Sequence, residues 1–132
     1  MSFFFEHVHI KTLEPRAVAD WFVAAFGLKI EADQERPSGD RLIACSAPDT
    51  ATRIVFSDPR PDEVHADAAS GPHFGVEHIC FRTKDIEADF ARLVELGATK
   101  LEEPRRLSSG VVIAFLQAPG DVRVELVQRP PA

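Results

Sequence analysis

Tyrosine is absent from this 132-residue chain, tryptophan and methionine occur once each, and cysteine occurs only twice. Cys45 and Cys80 each stand alone inside an apolar run. That pattern excludes a disulfide framework or a thiolate zinc site and leaves reduced, buried thiols as the expectation. Basic runs are missing too, as is any interleaving of basic with aromatic residues, and the net charge is −6. A chain of that sign repels a phosphate backbone, so nucleic acid is excluded as the expected partner. No apolar run approaches the roughly 20 residues of a membrane span. The opening "MSFFFEHV" has neither the basic head nor the long apolar core of a secretory signal. The expectation is a cytoplasmic protein without a membrane partner. What remains is ordinary globular composition, 45% hydrophobic and 27% charged, over a length suited to one compact domain, residues 1–132, with a real core.

The chain repeats itself. "EHVHIKTLEPRAVADWFVAAFGLKI" begins at Glu6 and "EHICFRTKDIEADFARLVELGATKL" begins at Glu77. Glu6/Glu77, His7/His78, Thr12/Thr83 and Ala17/Ala88 coincide at an offset of 71, and Gly27/Gly97 at 70 after a one-residue slip. "RLIACSAPDTATRIVFS" likewise runs beside "VVIAFLQAPGDVRVELVQ", pairing Ala44 with Ala114 and Arg53 with Arg123. Self-similarity at this spacing marks a duplicated structural unit. The first module is expected over about residues 1–58 and the second over about 76–130, with a linker at about 59–75 rich in Pro, Asp, Ala and Gly.

Each module has one grammar. A strand over 3–12 precedes a helix opened by Glu14-Pro15, since proline suits the first helical turn and an acidic residue suits the position before it. Val18, Trp21, Phe22 and Ala25 recur at helical spacing, so Trp21 and the helix phenylalanines are expected in the core, and Gly27 supplies a left-handed stop. In the second module Asp85 caps, Ile86, Phe90, Leu93 and Val94 form the stripe, and Gly97 ends it. Three strands follow each helix, the last two joined by turns at Pro48-Asp49 and Pro119-Gly120-Asp121. The expected fold class is α+β, two tandem βαβββ modules forming a cupped mixed sheet.

Alternation along a strand decides which side chains share a face. Phe4, Val8 and Ile10 are expected to pack on the helix, sending His7, His9 and Lys11 to the opposite side. Ile79 and Phe81 pack likewise, sending His78, Cys80 and Arg82 across. In the final strand Val122, Val124 and Leu126 pack, which leaves Arg123, Glu125 and Val127 on the far face. His7, His78 and Glu125 thus fall on the non-helical face of their strands. Two neutral imidazoles and one carboxylate on rigid strands form a facial triad that binds Fe(II), Mn(II), Zn(II) or Ni(II) and leaves positions for substrate.

At "EHVHIKT…VADWFVAAFGLKI", "EHICFRTKDIEADFARLVELGA" and "APGDVRVELVQ" the chain resembles the vicinal oxygen chelate superfamily. That superfamily includes glyoxalase I, methylmalonyl-CoA epimerase, extradiol dioxygenases, fosfomycin-resistance transferases and bleomycin-binding proteins. The resemblance implies a cupped sheet of paired modules, with His7, His78 and Glu125 holding one divalent metal (Zn, Ni, Mn or Fe). It also implies a small-molecule substrate that chelates the metal through two vicinal oxygens, and a homodimer.

One departure bears on the reaction. Glyoxalase-type members carry a fourth protein ligand on the last strand of the first module, and the repeat places Val55 there, with Arg53 and Ser57 on the same face. His9 shares the face of His7, and an imidazole is a ready proton carrier at neutral pH, so it is either the catalytic acid or base or a hydrogen-bonding wall residue of the cavity. Cys80, Arg53 and Val55 are expected to line the substrate space. Arg36, Arg41, Arg105 and Arg106 sit at the loops before the third strands, either as a solvated rim or as a clamp for an anionic substrate group. Metal-dependent lyase or isomerase chemistry of glyoxalase type comes first. A ring-cleaving Fe(II) dioxygenase comes second, although extradiol enzymes of the superfamily usually employ a tyrosine that this chain lacks. A metal-free drug-sequestering protein is third.

Overall fold

A computed structural model describes residues 2–49 and 51–132. The chain forms two compact units, the first reaching to Ala66 and the second running from Asp67 to Ala132.

In the first unit β1 (Val8–Lys11) is followed by α1 (Pro15–Phe26), β2 (Lys29–Glu35), β3 (Arg41–Ser46) and β4 (Arg53–Ser57). The sheet order is β1-β4-β3-β2, with β1 parallel to β4 and the other pairs antiparallel. Pro15 opens α1, while Glu14 makes no side-chain cap. Gly27 closes the helix at φ 71°, its N–H bonded to the Val23 carbonyl at 2.9 Å, a left-handed turn that a β-carbon would strain. Val18, Phe22 and Ala25 are buried, and Phe22 meets Phe56 with ring centroids 5.2 Å apart.

The second unit repeats the order with β5 (Ile79–Arg82), α2 (Ile86–Glu95), β6 (Thr99–Arg106), β7 (Val112–Ala118) and β8 (Val122–Gln128). Its sheet order is β5-β8-β7-β6, again with one parallel pair, β5 with β8. Asp85 caps α2 by accepting the Ala88 N–H at 3.1 Å, and Glu87 and Asp89 in the first turn oppose Arg92 in the last, as the helix dipole favours. Ile86, Phe90 and Leu93 of α2 are buried, as are Val124 and Leu126 of the sheet. The expected βαβββ unit is therefore written twice.

Three details differ from the sequence expectation. Strand pairing begins only at Val8, opposite Ile54. Residues 3–7 thus lie ahead of the strand, and Phe4 stands exposed at 89% instead of packing on the helix. Trp21 is half-buried, its ring against Phe22 and Phe26 at the helix margin, with Phe22 taking the core position. Cys45 is fully buried as expected, but Cys80 is exposed, because it sits on the face of β5 that α2 does not cover.

Candidate functional site

Parallel pairing fixes what lies beside what on the uncovered face of each sheet. In the second unit Cys80 of β5 is the register partner of Glu125 of β8, and Phe115 of β7 is its partner on the other side. His78 immediately precedes β5 and swings toward the same place, its Nε2 standing 2.9 Å from Glu125 Oε2. Its Nδ1 is held by Glu77 at 3.2 Å, and its ring meets the Phe115 ring edge-on at 5.4 Å. Glu77 also faces Arg123 Nε at 3.4 Å, while the Arg123 guanidinium lies 4.4 Å above the Phe115 ring. Arg123 Nη1 donates to the Ser70 carbonyl at 3.0 Å, and Ser70 Oγ donates to Gln117 Oε1 at 2.8 Å, so residue 70 is fastened onto this face. Partial desolvation of the thiol against the sheet, reinforced by the Glu125 charge, pushes the otherwise exposed Cys80 up to about 11, which leaves it protonated at neutral pH.

The first unit starts from the same clasp. Glu6 bonds His7 Nδ1 and accepts from Arg53, as Glu77 faces His78 and Arg123. The repeated Glu-His pair therefore has a physical reason. The carboxylate holds Nδ1, orients the ring, and leaves Nε2 outward. His9 Nε2 bonds the hydroxyl of fully buried Ser57 at 2.7 Å. Partial desolvation of the ring nitrogen turned toward Ser57, with the nearby Lys11 and Arg36 cations, lowers the pKa of His9 below its ordinary value, keeping the imidazole neutral although the residue as a whole is exposed. Lys11 itself pairs with Glu63 at 2.8 Å, and this hydrogen bond holds the Glu63 carboxyl down to about 2. Val55 is the register partner of His9 and is buried at 6% exposure, with exposed Arg53 next along the same face.

Of the expected triad, the structure brings His78 and Glu125 into contact; His7 belongs to the first unit. Among the described residues no group of three or more His, Cys, Asp and Glu side chains is gathered as a metal-holding cluster. The contacting pair nevertheless fits a divalent ion. Two atoms each ~2.1 Å from one ion and at a right angle stand about 3.0 Å apart. The observed 2.9 Å is a direct ion-pair contact of ordinary hydrogen-bond length, which also admits an ion, and the imidazole already has its other nitrogen on a carboxylate. The four loop arginines are engaged locally. Arg36 pairs with buried Asp40, Arg41 with Asp33, Arg105 with Glu102, and Arg106 donates to the Gly110 carbonyl.

Comparison with known proteins now decides the family. The model of the glyoxalase-like domain matches residues 7–127, nearly the whole chain. The chain belongs to the glyoxalase-like domain family. Its fold is shared with a glyoxalase family protein from Bacillus cereus at a TM-score of 0.80, with 20% identity over 97% of this chain and 95% of that one. A glyoxylase/bleomycin resistance protein/dioxygenase domain from Frankia sp. EAN1pec aligns at a TM-score of 0.78, with 14% identity over 98% of this chain and all of that one. Glyoxalase I from Zea mays aligns at 0.76, with 19% identity over 98% of this chain but only 46% of the maize chain. No curated protein sequence matches the chain. Within this family frame, the His9–Ser57 bond, the paired Glu-His-Arg clasps and the Phe115 platform are features that strand alternation alone does not reveal. The coincidence of Glu6/Glu77 and Arg53/Arg123 in the repeat was their visible signal.

Proposed function

We propose that this glyoxalase-like chain is a divalent-metal-dependent enzyme performing lyase or isomerase chemistry on a small substrate that offers two vicinal oxygens. The supporting observation is the 2.9 Å approach of His78 Nε2 to Glu125 Oε2, with Nδ1 anchored on Glu77. His7, the counterpart of His78 in the repeat and likewise anchored by a glutamate, is the proposed third donor. Two imidazoles and a carboxylate suit Zn, Ni, Mn or Fe. Such an ion supplies Lewis-acid stabilisation of a developing enolate or alkoxide.

The chain's own groups do the rest. Glu77 keeps the His78 ring in one orientation, and Phe115 shields one side of it from water. His9, kept neutral by partial desolvation and by neighbouring cations, is the proposed proton carrier that takes the place of the carboxylate absent at Val55. Cys80, Arg53 and Val55 are proposed to contact the substrate, and the protein is proposed to act as a cytoplasmic homodimer.

Metal analysis of protein purified without chelator tests this reading. About one divalent ion per chain is expected, together with activity that persists without oxygen and with Zn(II), Ni(II) or Mn(II). His9→Gln is expected to lower turnover by about 10² to 10⁴ with the ion retained. A panel of α-hydroxyketones, 2-oxoaldehyde thiol adducts and catechols identifies the reaction. Oxygen uptake coupled to catechol loss would overturn it in favour of a dioxygenase, and a monomer in light scattering would defeat the dimer.

A further inference from the structure

Fifteen lysines and arginines serve an acidic chain, and most are paired with a nearby carboxylate. Among the described residues four form no ion pair: Arg82, Lys84, Arg106 and Arg129. Three of these four line one recess of about 610 Å³, walled by Arg82, Thr83, Lys84, Arg129 and residues 130–132. That volume suits a small ligand.

The recess is held from beneath. Thr83 N–H bonds the Val127 carbonyl at 2.9 Å, tying the end of β5 to β8, and the Ile86 N–H bonds Gln128 Oε1 at 2.7 Å, fixing the residue before Arg129. Nearby acids are occupied elsewhere. Asp85 caps α2 through the Ala88 N–H, and Asp89 accepts the Thr83 hydroxyl and pairs with Arg92. The repeat supplies an internal contrast. The counterpart of Arg82 is Lys11, which Glu63 neutralises at 2.8 Å, while the positions of Lys84 and Arg129 correspond to Leu13 and Pro59. Three cations thus cluster in the second copy only, and among the described residues none of them forms an ion pair.

Converging cations without a partner repel one another, and two planar guanidiniums present forked donors matched to phosphate or carboxylate oxygens. We propose that the recess formed by Arg82, Lys84 and Arg129 binds a small anion of the phosphate or carboxylate class. Its size and the net charge of −6 favour a small molecule over a polymeric phosphate backbone.

Titration of the ¹⁵N-labelled protein with inorganic phosphate, and separately with succinate, tests this by amide shifts at constant ionic strength. Saturable shifts confined to residues 82–84 and 128–132 are expected. Tighter binding of phosphate identifies a phosphorylated ligand, and tighter binding of succinate a carboxylated one. Arg82→Gln and Arg129→Gln are each expected to weaken binding by about tenfold, while Arg106→Gln leaves it unchanged. The same spectra report whether each variant is folded, and Lys84→Gln stands in for any that is not. Absence of saturation at tens of millimolar, equal weakening by Arg106→Gln, or tighter binding of an oligonucleotide through the same amides would overturn the proposal.

Discussion

In the first unit the buried hydroxyl of Ser57 reaches His9, and the strand position before it on that face is the apolar Val55. In the second unit Glu125 occupies the place of Val55 and reaches His78, while Val127 replaces Ser57. The polar contact has moved one pleat along an otherwise repeated strand. Duplication conserves the backbone and the Glu-His-Arg clasp. A single position on the last strand then decides whether the clasped histidine has a carboxylate before it. The second copy sets its clasped histidine against a carboxylate, while the first sets the neutral imidazole of His9 on a hydroxyl.

Making the second unit like the first is the sharpest way to break this contrast. Glu125→Val is expected to abolish stoichiometric metal binding while the chain stays folded. Retention of a full equivalent by elemental analysis would remove Glu125 from the site. The next largest effect concerns the cores, where Phe22 packed on Phe56 in the first unit corresponds in the repeat to the buried Leu93 and Leu126 of the second. Phe22→Ala is expected to cost about 3 to 5 kcal/mol and Leu93→Ala about 2 to 5 kcal/mol in urea unfolding. Preserved stability in either variant would show that its helix is not held by that side chain.

The repeat, both helices, the strand count and the mixed topology were legible because 3.6 and 2.0 periodicities are properties of neighbouring residues. The capping by Asp85 and the left-handed Gly27 were legible for the same reason. Phe4 was misassigned because alternation shows which face a side chain takes but not where pairing starts, and β1 has no partner ahead of Val8. Cys80 was misread because an apolar run does not say whether its second face is covered. The Ser57–His9 bond depends on parallel register between segments 48 residues apart, and the convergence of Arg82 with Arg129 on a similar long-range pairing.

Smaller effects sharpen the comparison of the clasps. Glu77→Gln is expected to weaken metal binding by about 10- to 100-fold by freeing the His78 ring. The lower limit of that range would point to Phe115 as the stronger support, which Phe115→Leu would then reveal.

The smallest expected effect lies in the linker, which has no counterpart in the first module. Both ring nitrogens of His73 bond carbonyls, those of Gly71 at 2.7 Å and Val76 at 2.8 Å, and these bonds raise its pKa above the ordinary 6.5. Two acceptors require the doubly protonated ring. The folded value exceeds the unfolded one, so the clasp contributes fully below about pH 6.5 and is lost as pH rises through the raised folded value. Amide exchange at residues 71–76 should accelerate across that window beyond its intrinsic pH dependence. His73→Gln should remove the step, and a step that survives the substitution would assign it to another group.

The parallel pairing of β5 with β8 also sets an order of assembly. Strands β6, β7 and β8 are joined by short turns and can zip locally, but Ile79 must find Val124 across a helix and two strands. Closing that long loop is entropically late. The antiparallel meander is therefore expected to form first, with β5 and the His78 at its head docking last. The reverse path opens first as well, so the His78–Glu125 contact is a sensor of the unit's earliest partial unfolding. Hydrogen exchange in β5 should run ahead of exchange in β7, and the site should disassemble while most of its sheet is still intact.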